Sequence, residues 1–191
     1  MKIEVKICGI TRREDAEFAT RCGADYLGFV FAPSSPRRVL PAALPALAAG
    51  LPVRKVGVFV DADIDFIRAM TELGQLDIVQ LHGSEPPDFA RAIPFAEVWK
   101  ASYDPDYPAA RLVCDAPRGG SGQFGDHRKA AELAKLRPVM LAGGVTPENV
   151  TALAVAVRPR GIDVASGVEA APGVKDHQKL IKLFNALKGI A

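Results

Sequence analysis

Short β-branched runs recur along the chain, each followed by a turn containing Gly, Pro or Ser and then by a stretch with helical spacing. The runs cover residues 3–8, 26–31, 55–60, 78–81, 97–101, 112–115, 139–142 and 162–165, eight in all. Several, such as Val56-Gly57-Val58-Phe59-Val60, are apolar at consecutive positions, the pattern of parallel strands covered by helices. Helical periodicity occupies residues 41–49, 63–73, 86–92, 127–136, 147–157 and 176–187. Ile64, Ile67 and Met70 make one face of the second of these stretches. A further helix precedes them all: Thr11 is placed to cap it, Glu14 to complete a capping box, and Gly23 to stop it. Pro147, directly behind Thr146, predicts a helix that starts at that proline.

One helix is missing from the pattern. Residues 102–111 carry Pro105 and Pro108 and are too short and too broken for a crossover helix. Strictly alternating units predict an α/β chain, as either a closed eight-stranded barrel or an open doubly wound sheet. Eight strands without a long insertion favour closure, and the reduced fifth helix accounts for a length slightly below the usual barrel range. The expected fold is therefore a single (β/α)8 TIM barrel over residues 1–191, with a shortened or missing fifth helix. No linker, low-complexity segment or charge block marks a domain boundary.

Composition acts mainly by exclusion. With 49% hydrophobic and 24% charged residues the chain is too apolar for disorder. A net charge of +2 gives no field that suggests nucleic acid or an anionic membrane as partner. The opening MKIEVKICGIT alternates polar and apolar residues, unlike a signal peptide, and no apolar run is long enough to span a bilayer. Cys8, Cys22 and Cys114 have no metal-like spacing. Reduced thiols, a cytoplasmic location and no bound metal are the expectation.

Parallel barrels place their active sites at the C-terminal strand ends, so the residues there are the candidates. Cys8 ends the first strand, Asp115 the sixth and His82 the fourth, and Arg37 lies in the loop after the second. A thiolate can take a proton from carbon and a carboxylic acid can give one to a departing oxygen. The thiol titrates near 8.5 unaided, so its site has to help it ionise. Taken alone, Cys8 reads equally as a small buried hydrophobe and Asp115 as a turn cap. Arg37 has the planar fork to clamp a carboxylate, a role for which Arg38 competes. His82 reads as pocket-lining or structural, Asp61 and Asp163 as supporting or structural. The glycine-containing loops Gly143-Gly144-Val145-Thr146 and Ser166-Gly167-Val168-Glu169 follow the last two strands, where barrels frequently bind phosphate.

These segments, taken together and in order, resemble the phosphoribosylanthranilate isomerase family over essentially the whole chain. The resemblance is carried by Lys6-Ile7-Cys8-Gly9-Ile10-Thr11, Leu27-Gly28-Phe29-Val30-Phe31 with Ser35-Pro36-Arg37, Val56-Gly57-Val58-Phe59 and Gln80-Leu81-His82-Gly83. It continues in Asp115 with Gly119-Gly120-Ser121-Gly122, Leu141-Ala142-Gly143-Gly144, Ser166-Gly167-Val168-Glu169 and Gly173-Val174-Lys175-Asp176. It implies an Amadori rearrangement in tryptophan biosynthesis, without metal or organic cofactor, on a small phosphorylated substrate, by a monomer or homodimer. By the family pattern Asp115 is the general acid and Cys8 the general base. Arg37 holds the anthranilate carboxylate, His82 lines the site, and Gly143, Gly144, Ser166 and Gly167 cradle the phosphate. One segment departs: the family usually shows Lys or Arg and then a Phe-Asp-Trp-like sequence, where this chain reads Gln123-Phe124-Gly125-Asp126-His127. The reduced fifth helix is a second departure, and the expected consequence of both is on substrate affinity or stability more than on reaction type.

Two other readings compete. The related histidine-pathway isomerase has a carboxylate at the position of Cys8 and two-fold internal repetition, which the thiol and the single phosphate site here oppose. A non-catalytic barrel that binds a sugar phosphate needs neither Cys8 nor Asp115.

Overall fold

Eight parallel strands close into a barrel in the order of the chain. The structure is a computed structural model, and it describes residues 2–116 and 125–190. The strands are β1 (Glu4–Cys8), β2 (Tyr26–Val30), β3 (Arg54–Phe59), β4 (Ile78–Leu81), β5 (Glu97–Ala101), β6 (Arg111–Cys114), β7 (Val139–Leu141) and β8 (Gly161–Val164). Closure is made by β1 against β8, with Glu4 opposite Gly161 and Lys6 opposite Asp163. The helices are α1 (Arg13–Cys22), α2 (Leu44–Ala48), α3 (Ile64–Gly74), α4 (Pro87–Arg91), α5 (His127–Ala134), α6 (Val150–Val157) and α7 (His177–Leu187). A small antiparallel hairpin, β9 (Glu169–Ala171) and β10 (Val174–Lys175), follows β8. No helix among the described residues is long and apolar enough to cross a membrane.

Alternation along each strand divides the core in two. Outward positions such as Leu27, Phe29, Phe59, Val79, Leu112, Leu141 and Ile162 pack beneath the helices. Inward positions such as Tyr26, Val56, Ile78, Trp99, Val113 and Met140 fill the barrel. Trp99 is fully buried there and meets Tyr26 edge-on, with ring centroids 4.9 Å apart.

The connection between β5 and β6 has no helix, as its two prolines predict. Tyr107 takes up part of the vacated wall: it is buried, and its hydroxyl donates to the carbonyls of Glu85 and Pro86.

Two helix starts differ from the sequence expectation. The first helix is capped at Arg12 without a side-chain bond, so Thr11 and Glu14 form no capping box. The Thr11 hydroxyl instead donates to the carbonyl of Gly173, between β9 and β10, and ties the first βα loop to the last. Gly23 does end α1, in the left-handed conformation. The sixth helix begins at Val150 rather than Pro147. Asn149 explains the delay, because its side chain turns back to accept from the Thr146 amide and to donate to the Gly144 carbonyl. Residues 147–149 are spent bracing the loop after β7.

Candidate active site

A cavity of about 350 Å³ opens at the C-terminal strand ends. Cys8, Arg37, His82, Asp115, Gly143, Gly144 and Ser166 all line it, together with Gln80 and Asp163. Of the catalytic and substrate-binding residues expected from the sequence, Gly167 alone falls outside this lining. It belongs to an adjoining hollow with Gly144, Thr146, Ser166 and Lys179.

Cys8 sits at the end of β1 in register with Gly28 of β2. A β-carbon at Gly28 would lie 2.8 Å from Cys8 Sγ and 3.1 Å from Lys6 Cε, so the thiol and the lysine stem share the space a side chain would take. Burial pushes the Cys8 thiol above its ordinary value and Asp163 adds to this, while Lys6 and Lys175 pull it back. Lys6 is fully buried, and its ammonium lies 2.8 Å from Asp163 Oδ2. Burial works against the Lys6 charge, but Asp163 and Cys8 more than offset it and its pKa is raised.

Asp115 lies one residue beyond β6, on the other side of the mouth. Its Oδ1 accepts from the Ala116 amide at 2.7 Å, and its Oδ2 is 3.3 Å from His82 Nε2. His82 Nδ1 is 2.9 Å from Gln80 Nε2. With the Gln80 amide donating, the imidazole carries its proton on Nε2, the nitrogen nearer Asp115, an assignment that follows from the bonding pattern. Tyr103, from the helix-free link, donates to the Asp115 carbonyl and accepts from the Asp126 amide, at 3.1 and 3.2 Å.

Arg37 rather than Arg38 faces the cavity, Arg38 being exposed. Its fork is not empty: Nε and Nη2 make a bidentate pair with Glu169, at 2.9 and 2.7 Å. Lys175 also reaches Glu169 at 2.9 Å and donates to the Cys8 carbonyl at 2.6 Å. Hydrogen bonds from Arg37 and the charge of Lys175 outweigh burial and hold the Glu169 carboxyl below its ordinary value. Burial lowers the Lys175 pKa despite that carboxylate.

The loops after β7 and β8 approach each other closely. Gly143 and Gly144 both have left-handed φ values, +78° and +67°. A side chain at Gly167 would run into the Val145 carbonyl. These glycines bring amide groups of both loops to the cavity rim, the arrangement that suits a bound anion.

Matching against known families aligns residues 5–186 with the family described as N-(5'phosphoribosyl)anthranilate (PRA) isomerase. The chain belongs to the phosphoribosylanthranilate isomerase family. An N-(5'-phosphoribosyl)anthranilate isomerase of Geotalea uraniireducens is 41% identical over 201 aligned positions, covering 98% of this chain and 99% of that one. The solved phosphoribosyl anthranilate isomerase of Thermus thermophilus superposes with a TM-score of 0.93 at 44% identity, over 99% of this chain and all of that one. Another solved family member, in complex with reduced 1-(o-carboxyphenylamino)-1-deoxyribulose 5-phosphate, gives 0.89 at 36% identity, over 98% and 100% of the two chains.

Within this family framework the sequence reading missed the supporting shell. The sequence does not single out Lys6, Gln80, Glu169, Lys175 or Tyr103, and it leaves Asp163 open between supporting and structural. A signal exists for Lys6 and Gln80: each lies on a strand two residues before a candidate at that strand's end and so shares its inward face. Asp61 is structural, its carboxylate accepting from the Ser84 amide. In the departing segment Gln123 and Phe124, like Gly119 to Gly122, lie outside the described residues. Asp126 accepts from the Lys129 amide and caps α5.

Proposed function

We propose that the chain converts N-(5′-phosphoribosyl)anthranilate to 1-(2-carboxyphenylamino)-1-deoxyribulose 5-phosphate, an aldose–ketose isomerisation in L-tryptophan biosynthesis. The observation that carries this reading is the disposition of one thiol and one carboxylate, on β1 and beyond β6, around a single cavity whose rim is formed by the glycine loops after β7 and β8.

In this reading the ribose phosphate rests on the backbone amides around Gly143, Gly144, Ser166 and Gly167. Arg37 meets the anthranilate carboxylate with the donors that Glu169 leaves open. Asp115, protonated, gives its proton to the furanose ring oxygen. The C1′–O bond breaks, and the lone pair of the anthranilate amino nitrogen forms the C1′=N bond of a Schiff base. Cys8, as thiolate, then takes the C2′ proton; the C–H electrons form a C1′=C2′ bond and the imine electrons return to nitrogen. The enolamine so formed tautomerises to the ketone. Each general acid–base step of this kind contributes about 10²–10⁴ in rate.

The test is turnover of freshly generated phosphoribosylanthranilate, followed as loss of its fluorescence. A decay well above the spontaneous background is expected for the native chain. Cys8→Ala and Asp115→Asn are each expected to abolish it while leaving product affinity largely intact. Near-normal kcat in both variants would sink the acid–base assignment, and no turnover by the folded native chain would sink the activity.

A further inference from the structure

Lys6 is a charge with no evident structural purpose. A buried ion pair is weak ground for stability, and an apolar side chain of similar length would fill the same volume. Yet the pair lies directly below the candidate base. Lys6 and Cys8 are two residues apart on β1 and project to the same face. Their side chains converge on the space left by Gly28, 3.1 Å and 2.8 Å from the point where its β-carbon would be. Asp163, opposite Lys6 on β8, spends Oδ2 on the ammonium, while its buried Oδ1 has no partner among the described residues.

We propose that Lys6 is the positioning residue that lets Cys8 ionise: held in place by Asp163, its ammonium is the counter-charge against which the thiolate forms. This inference rests on the reading of Cys8 as the base.

The other charges around Cys8 do not take this part. Asp163, on β8, opposes the thiolate. Lys175, on β10, gives its protons to the Cys8 and Ala165 carbonyls and to Glu169. Arg37, from the loop after β2, is engaged by Glu169 through two bonds. Lys6 is the cation with the largest effect on the thiol. The three groups also suit the reaction. With Cys8 ionised, Lys6, Asp163 and Cys8 sum to one negative charge, and accepting the C2′ proton returns the buried cluster to neutrality.

Alkylation by iodoacetamide between pH 6 and 10 reads the Cys8 thiolate directly, because only the thiolate reacts. Cys114 is fully buried and Cys22 is removed by a Cys22→Ser background. In Lys6→Met the thiol pKa is expected to rise, and alkylation at pH 7 to slow at least about tenfold, the equivalent of one pH unit. In Asp163→Asn, which keeps the ammonium and deletes the opposing carboxylate, it is expected to speed up. A merely structural disturbance would move both variants the same way. Should Lys6→Met fail to fold, the double variant Lys6→Met/Asp163→Asn removes both charges and is still expected to react more slowly than the native thiol. Native-like alkylation in the folded Lys6→Met or double variant would overturn the inference, as would single variants that shift together. The underlying reading fails separately: persistent turnover by Cys8→Ala would remove Cys8 as base while leaving the alkylation result intact.

Discussion

A methyl group at Gly28 has nowhere to go: it would meet Cys8 Sγ at 2.8 Å and Lys6 Cε at 3.1 Å, inside a filled barrel. Gly28→Ala therefore has to move the thiol, the lysine or both. Overpacking of this kind costs about 1–3 kcal/mol, which leaves the fold populated. Misplacing a reacting group by about 1 Å costs on the order of 10² in rate. The expected outcome is a folded protein whose kcat falls about 10²-fold, a loss out of proportion to its stability change. Native kcat in a folded Gly28→Ala would mean that the thiol position is not what limits the reaction. At this scale the sequence is legible where a residue's place on its strand decides whether it reaches the cavity, as for Cys8 and Asp115. It is not legible where partners are remote along the chain. Arg37 and Glu169 are 132 residues apart, and only closure of the last loops over the first brings the carboxylate to the guanidinium.

At the level of elements, the link between β5 and β6 carries the most information. Its prolines announced the missing helix, yet nothing in the local pattern said what would take the helix's place. Arg137, just after α5, supplies the answer: Nη1 donates to the carbonyls of Pro105 and Tyr107, at 2.7 and 2.8 Å, and Nη2 donates to that of Ala109. One guanidinium thus satisfies backbone acceptors that a crossover helix would have paired internally. Arg137→Met keeps the stem and removes these bonds. It is expected to destabilise by about 2–3 kcal/mol, lowering Tm by about 4–12 °C. Calorimetry checks the first part; an unchanged Tm would show that the link holds itself. Because Tyr103 on the same link contacts the Asp115 carbonyl, kcat is expected to fall as well, by less than in Asp115→Asn. The helix starts at Thr11 and Pro147 were misread for a related reason: Thr11 and Asn149 were needed elsewhere, to brace loops at the site, and tertiary contacts outweighed local capping.

Across the whole molecule, the barrel is shut at its other end by charge. Glu4, inside β1, accepts from Tyr26 at 2.9 Å, from Arg160 at 2.9 and 2.6 Å, and from Arg111, tying β1 to β2, β6 and the residue before β8. Burial alone would lift the Glu4 carboxyl, but hydrogen bonds from Arg111, Tyr26 and Arg160 outweigh it and its pKa lies below the ordinary 4.5. Glu97, bonded by Trp99 and Arg54, and Glu169 are depressed in the same direction. Between the folded and unfolded pKa values, the unfolded chain binds more protons than the native one. The stability these carboxylates contribute is therefore fully present above about pH 4.5 and drains away as pH falls through the lower, folded values. A steep loss of Tm below about pH 4 is expected. Glu4→Gln isolates one contributor. At pH 7 it removes the charge that Arg111 and Arg160 share, at a cost of about 2–3 kcal/mol. As pH falls through its lowered folded value the native Glu4 itself becomes protonated, so the two proteins should approach each other. Melting curves of both from pH 3 to 7 should therefore converge toward acid. Curves that stay parallel over that range would mean that Glu4 titrates no differently in the folded barrel than in the open chain, and that the base of the barrel is held by its packing around Trp99 instead.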